Sequence, residues 1–539
     1  MATVKKTPSV TFAPKAVSER PSSRTLRSNS TNASSRRSSR ISREIETPHG
    51  SVLRESISNL RSANSSPNPT NMNEPDRQHG WRDYACLFAC WLLQFHSWGV
   101  VNSYGTYSSY YSQHLMPDEP IVQFNVIGAT QSFVILALSF VTGRLLDAGH
   151  SLKLLIVGAL LIATGSFSQP FVNGDAGKNS GNYGLILLTQ GIICALGQAC
   201  FFVAASQIAS TRFPKRRGLV IGVVASGASI GGTVYPMMLK FLISSHGLIL
   251  AQVYVATLQT GLSFIAVCFA RPHPRHKIRK PEKWMAVATF IDREAFRNPS
   301  YVWFCAAVFF LFFGFYPVFF NLEEWAAKNG LGYKDETPGP VASVTVPGQR
   351  LLEKDAIRTF WLTCICNGSS AVGRIVFAAL CDYCCGALNV HAAVTGVASM
   401  LLLLFWPFIE NVPAAICFNV FYGLLSGAVI GLPPASISYI LGDQQQDRFG
   451  QWMGMTYAIA APASFLGPVL AGLVVTKTNN NFLTVQLWCG VCILFCFVCM
   501  VLASWHLSKQ RAVPSMVVDH VATKSSGTSS TNVAEKESV

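Results

Sequence analysis

The segment RPHPRHKIRKPEKWMAVATFIDREAFR, Arg271 to Arg297, divides the chain in two. It carries eight Lys and Arg residues, and six apolar stretches of helix length lie on each side of it. Such a chain can bury its apolar surface and still satisfy its backbone hydrogen bonds only as helices in lipid. The spans expected ahead of the divider are Tyr84 to Tyr107, Phe124 to Leu145, Leu152 to Phe171, Tyr183 to Ser210, Gly218 to Ile243 and Leu248 to Ala270. Behind it are Tyr301 to Phe320, Ile357 to Cys381, Leu388 to Ile409, Pro413 to Leu441, Trp452 to Val475 and Phe482 to Trp505. At a rise of about 1.5 Å per residue each crosses ~30 Å of hydrocarbon with some tilt. The expected fold is an all-α polytopic membrane protein of twelve transmembrane helices, six in each of two bundles.

Composition agrees with lipid as the solvent. Of 539 residues 50% are hydrophobic and 13% charged, against about 25% charged in soluble domains. Most of the sixteen cysteines sit inside apolar runs, as do Cys489, Cys492, Cys496 and Cys499, where a thiol is a small packing group. The spacing of Cys489, Cys492 and Cys496 would suit a metal on one helix face, but no His or Asp joins them, so no metal or other cofactor is expected. No buried nucleophile and base, metal cluster or nucleotide loop is visible, which argues against an enzyme.

The net charge of +15 is concentrated in residues 1–83, in the divider and in the short loop Arg212 to Arg217. With a cytosolic N-terminus all three fall on one side, as do Arg144 and Lys153, while the outer loops among the first six spans hold only Lys178 and Lys240. The charge therefore reads as orientation, with both termini cytosolic, and not as nucleic-acid binding. The plasma membrane is the expected location, with an organelle membrane as the alternative.

The expected organisation is a basic Ser/Arg-rich disordered tail (1–83), a first bundle (84–270), a basic central loop (271–300), a second bundle (301–506) and a cytosolic tail (507–539). The first tail has too few apolar residues to offset the entropy of folding. Its run Arg36-Arg37-Ser38-Ser39-Arg40 is a candidate site for a kinase that prefers basic residues; its composition up to Arg43 is also that of a mitochondrial presequence, but the absence of a clear apolar face weighs against one. No signal peptide is expected ahead of the first span. The outer segment Asn321 to Asp355 is acidic on balance and reads as a partly ordered cap, with a gating lid as the alternative.

The second span ends Gly143-Arg144-Leu145-Leu146-Asp147 and the eighth ends Ala378-Ala379-Leu380-Cys381-Asp382. A small residue four positions before an acid occurs at the same place in both halves, consistent with a duplicated six-helix unit. The fifth span carries Gly222, Gly227, Gly231, Gly232 and Pro236, and the eleventh carries Pro462, Gly467, Pro468 and Gly472. Such helices pack closely and bend.

The Gly143 to Asp147 motif resembles the loop between helices two and three of the major facilitator superfamily. Leading into the fifth span, Phe213-Pro214-Lys215-Arg216-Arg217-Gly218-Leu219-Val220-Ile221-Gly222 with Gly227 resembles the signature of the monocarboxylate porter family within it. Trp98-Gly99-Val100-Val101-Asn102-Ser103-Tyr104-Gly105 and the segment Gly191 to Gly197 resemble the fungal branch. The resemblance covers about residues 80 to 506 and implies the major facilitator fold and secondary transport by alternating access. It makes Arg144, Asp147, Lys215, Arg216, Arg217 and Asp382 gating residues that close the cytosolic side. Proton-coupled animal members carry an Asp four residues before the Arg of the eighth span and a Lys in the first span. Here Ser370 precedes Arg374, and Asn102 aligns with the Lys, so two of the three charged parts of proton-coupled monocarboxylate transport are missing.

Away from their ends the spans hold no Asp or Glu. His96, roughly 18 Å along the first span, is the candidate for a proton-sensitive or substrate-bonding group. Arg374 is the candidate anion partner, since an intramembrane charge usually faces a cavity. Asn102, Gln198, Tyr316, Asn419, Tyr422 and Tyr457 are further candidates for hydrogen bonds to a solute. The Phe-rich seventh span suggests a cavity tolerant of apolar molecules, although most of that stripe is expected to face lipid. These residues point to a secondary transporter of a small, anionic organic acid or related metabolite, with proton coupling open. Alternatives are efflux of a fungal secondary metabolite, import of a riboflavin-like vitamin and, from another class, a receptor or scaffold that keeps the fold.

Overall fold

The computed structural model describes residues 80–119, 121–174, 177, 180–274, 278–284, 286–333, 356–478 and 481–527, within the compact unit His79–Val539. The candidate kinase sequence lies outside them. Among the described residues eleven helices are long and apolar enough to cross a membrane. They are α1 (Trp81–Ser108), α2 (Gln123–Asp147), α3 (Ser151–Val172), α4 (Tyr183–Arg212), α5 (Pro214–Phe269), α6 (Pro299–Lys328), α7 (Phe360–Cys384), α8 (Ala387–Phe408), α9 (Val412–Leu441), α10 (Gln445–Val475) and α11 (Phe482–Arg511).

The difference between eleven helices and twelve expected spans lies in α5. Its 53-residue regular part, Arg217–Phe269, would be ~80 Å long if straight, more than twice the hydrocarbon thickness. It breaks at Gly247, where φ is 77° and ψ is 170°, a conformation cheap only for glycine. The fifth and sixth spans thus share one run with a one-residue corner.

Local sequence sets where other helices begin. Asn298 caps α6 by accepting from the Ser300 amide (3.0 Å) and Asn411 caps α9 by accepting from the Ala414 amide (2.9 Å). Pro299 and Pro413 follow them in the first turn, where a missing N–H costs nothing. Beyond α6, Gly332–Tyr333 pairs in parallel with Ile357–Arg358, so the eighth span starts later than expected. The rest of the acidic outer segment, and with it the lid alternative, lies outside the described residues. The last helix runs on to Gly527, past its expected end.

Helices of the first six spans pack chiefly on one another, α1 against α4 and α5 and α3 against α4 and α5. In the second six α6 packs on α10 and α11, α7 on α9, and α8 on α11. The two most extensive joints between the halves are α5 with α7 and α2 with α10. The Phe stripe of α6 does not face lipid as expected. Phe312 and Phe315 are buried, and Phe309, Phe310 and Phe313 are half-buried against the core, with Phe310 stacked on Phe495 (5.4 Å between centroids) and Phe313 against Trp488 (5.0 Å). Aromatic rings from two helices fill that seam, so the stripe is packing surface.

Candidate functional site: a cavity between the halves

A narrow cavity lies between the two sets of helices. Helical periodicity explains its lining. α1 contributes Gln94, Trp98 and Asn102, one residue per turn along a single stripe. α7 contributes Asn367, Ser370 and Arg374, and α6 contributes Phe312, Phe315, Tyr316 and Phe319, again at three- and four-residue steps. Phe202 and Ser206 come from α4, Ala225 from α5, Ile430, Gly431 and Pro434 from α9, and Tyr457 from α10.

Among the described residues Arg374 is the only charged one on this wall. One guanidinium nitrogen, Nη1, donates to the Ala225 carbonyl oxygen at 2.6 Å, while Nε is buried without a partner. Tyr316 and Tyr457 are its electrostatic neighbours. Around it Trp98 stacks on Tyr316 (5.7 Å, 15°) and meets Phe202 edge-on (5.4 Å), and Phe202 packs on Tyr457 (4.7 Å). The arrangement offers flat apolar faces and one uncompensated positive charge, the two features a conjugated organic anion would use. In this conformation only about 30 Å³ admits the centre of a water molecule, so a larger solute enters only when the halves separate.

Of the eight expected solute-contacting residues, Asn102, Tyr316, Arg374 and Tyr457 converge on this cavity. The other four do not line it. His96 is two residues from the Gln94 and Trp98 stripe, hence about 200° around the helix, and is fully buried with Nδ1 2.8 Å from the Tyr235 hydroxyl of α5. Gln198 accepts from Gln131 Nε2 (2.8 Å) inside the first half. Asn419 donates to the Ala415 carbonyl of its own helix (2.8 Å). Tyr422 stacks on Phe418 (5.5 Å, 3°) behind Phe319. Depth along a helix does not reveal direction around it. The step of four from Gln94 through Trp98 to Asn102 was the available signal for the two residues missed on α1.

His96→Phe is accordingly expected to leave the apparent KM for solute and the pH profile of transport unchanged. It should cost about 1 kcal/mol of stability through the lost bond to Tyr235. Flux in proteoliposomes and thermal unfolding of the same variant check both halves of this expectation.

At the end of the fold that carries the basic loops, two carboxylates cross between the halves. Asp147, at the end of α2, accepts from the Gly450 amide (3.2 Å), the Gln451 amide (2.8 Å) and Gln207 Nε2 (2.5 Å). Asp382, near the end of α7, accepts from the amides of Gly218 (3.0 Å) and Leu219 (2.8 Å). Each acid thereby caps the first turn of a helix in the other half, where N–H groups lack partners and the helix dipole is positive. The same device occurs twice, at the two positions where the duplicated motif places an acid. Gly143 lets α2 and α10 touch, because a Cβ there would overlap the Gly450 carbonyl oxygen.

The basic candidates at this end differ from one another. Arg144 donates to the Arg279 carbonyl (2.8 Å), and the Arg279 amide donates to the Asp147 carbonyl (2.8 Å), so the central loop is stitched to the end of α2. Arg217 reaches Asp443 at 3.2 Å. Lys215 and Arg216 are exposed on the short turn Pro214–Arg216. Arg448 pairs with Asp292 (3.0 Å) and with Glu294, joining α10 to the central loop.

An MFS-type transporter of Gibberella zeae is 26% identical over 417 residues, covering 77% of this chain and 85% of its own. The aspyridones efflux protein of Emericella nidulans is 26% identical over 424 residues, covering 78% of each. In three dimensions the crystal structure of the human organic anion transporter MFSD10 superposes with a TM-score of 0.57 at 14% identity, over 78% of this chain and 99% of that one. The sequence model of the Major Facilitator Superfamily matches residues 90–461, more than half of the chain. This multi-pass membrane protein, a transporter and not an enzyme, therefore belongs to the Major Facilitator Superfamily.

Proposed function

We propose that the protein exports an organic metabolite with a flat conjugated body and one acidic oxygen, carried in the central cavity as the halves rock about it. The observation that carries this reading is Arg374, a buried cation with an unused Nε, set among Trp98, Phe202, Tyr316 and Tyr457 with no carboxylate on the same wall. Such a charge is costly in a membrane protein interior and is offset when an anion or polarised oxygen joins it. Export is supported by the likeness to the aspyridones efflux protein. Within the superfamily, the Phe213 to Gly227 signature and Arg374 favour the monocarboxylate porter group. Ser370 and Asn102, where coupled members have Asp and Lys, weigh against proton-driven uptake of a small acid, and riboflavin-like import has less support than efflux.

In this reading Asp147, Asp382, Arg144 and Arg217 close the cytosolic mouth, with both chain ends on that side and the plasma membrane as the location that suits export. Lys215 and Arg216 act there as orienting charge. The test compares the metabolites of cells lacking the protein, cells with it and cells with Arg374→Gln. Loss should raise at least one aromatic acidic metabolite inside the cell and lower it in the medium, and the variant should match the loss. A fall of the intracellular pool on loss would establish uptake instead. Repeating the flux with an imposed pH gradient decides whether a proton moves in exchange.

A further inference from the structure

The first six spans enclose a second cavity that shares no lining residue with the central one. Its wall carries five carboxamides: Gln131 from α2, Gln169 from α3, Gln190 from α4, and Gln252 and Gln259 from α5. The spacing places them there, since Gln252 and Gln259 are two turns apart on one face, as are Ser166 and Asn173. The second six spans are poorer in such groups, their buried glutamines among the described residues being Gln451 and Gln486.

Most polar atoms here are paired within the protein. Ser166 Oγ donates to Gln259 Oε1 (2.6 Å), Asn173 Nδ2 to Gln252 Oε1 (2.8 Å), the Tyr111 hydroxyl to Gln190 Oε1 (3.1 Å) and Gln131 Nε2 to Gln198 Oε1 (2.8 Å). Two lining atoms, one of each kind, make no hydrogen bond of good geometry, the acceptor Gln131 Oε1 and the donor Gln252 Nε2, and Asn173 Oδ1 beside the pocket is likewise buried without a partner. A helix bundle in hydrocarbon gives neither a route to bulk water, and an unpaired buried polar group bears its full desolvation cost. The room for the centre of a water-sized sphere is about 10 Å³, which admits about one enclosed water. An organic solute is too large, and among the described residues no charged side chain lines the space to hold an ion. α4 passes this wall as a π-helical turn, Leu187–Cys194, a local widening that is frequent where helices serve a function.

We propose that this pocket is a water-binding site. An ordered water accepts from Gln252 Nε2 and donates to Gln131 Oε1, giving a hydrated joint at which α4 shifts against α3 and α5 without stripping the amides.

Pulsed X-ray radiolysis of the full chain in nanodiscs tests this, because hydroxyl radicals formed from a bound water label its immediate neighbours. Tyr107 and Cys194 line the pocket and should be labelled at least tenfold faster than Tyr422 and Cys489, buried residues of the second half that line neither cavity. Gln131→Leu combined with Gln252→Leu, which removes both unpaired atoms, should bring Tyr107 down to the rate of Tyr422. Equal rates in the wild-type chain would overturn the proposal, as would an unchanged Tyr107 rate in a folded double variant. If that variant does not fold, the wild-type ratio alone decides.

Discussion

Arg374→Gln should reduce transport by about 100-fold while the protein still reaches the membrane. A charge-assisted hydrogen bond in a water-poor cavity contributes up to about 3 kcal/mol, and each 1.4 kcal/mol is roughly a factor of ten. Glutamine can keep a donor near the Ala225 carbonyl, which Arg374 now occupies at 2.6 Å, so much of the loss should fall on solute and little on folding. Arg374→Lys restores the charge without the planar fork and is expected to recover only part of the flux. The check is transport of a labelled aromatic acid into inside-out vesicles, normalised to protein amount, alongside thermal unfolding. Full flux in the glutamine variant would remove the anion site.

The second large effect is expected from Gly143→Val. The new Cβ would overlap the Gly450 carbonyl oxygen and push α2 from α10 where Asp147 accepts from the Gly450 and Gln451 amides. Overpacking of this kind costs about 1–3 kcal/mol, so the ratio of closed to open forms at that end should fall roughly 5- to 150-fold. Among the described residues no native cysteine lines the central cavity, so a cysteine introduced at Ser206 reports entry. A polar maleimide offered from the basic end should modify Ser206→Cys at least tenfold faster when Gly143→Val is also present, and transport should fall because the carrier rests open. Asp147→Asn should do the same more weakly, since one side-chain oxygen can still accept. An unchanged labelling rate would mean that this contact does not hold the closed end.

The order of apolar runs and the divider Arg271 to Arg297 carried most of the fold, because length and polarity alone decide what lipid will accept. The corner at Gly247 falls in the short polar gap Ser244 to Gly247 that separates the expected fifth and sixth spans. In the site, Arg374 was legible because a charge inside a span has few places to go, and Asp147 and Asp382 because the motif repeats. Their partners were not: Gly450 lies 303 residues from Asp147, and nothing local links them. His96, Gln198, Asn419 and Tyr422 have the polarity and the depth of site residues, whereas membership of the cavity depends on rotation about the helix axis. These spans are apolar on nearly all sides, so rotation leaves little trace in their hydropathy. Only polar stripes such as Gln94, Trp98 and Asn102 mark it.

The central claim is that two six-helix halves open in turn around the cavity that holds Arg374. Double electron–electron resonance tests it most directly, with spin labels carried on noncanonical amino acids so that native cysteines stay untouched. One pair, at the exposed positions Lys153 and Asp443, spans the halves at the basic end, and a second, at the exposed positions Phe171 and Leu483, spans the opposite end. Each pair should show two distances, and conditions that lengthen one pair should shorten the other, with Gly143→Val favouring the longer distance between 153 and 443. A single unchanging distance in both pairs, with transport intact, would contradict the account.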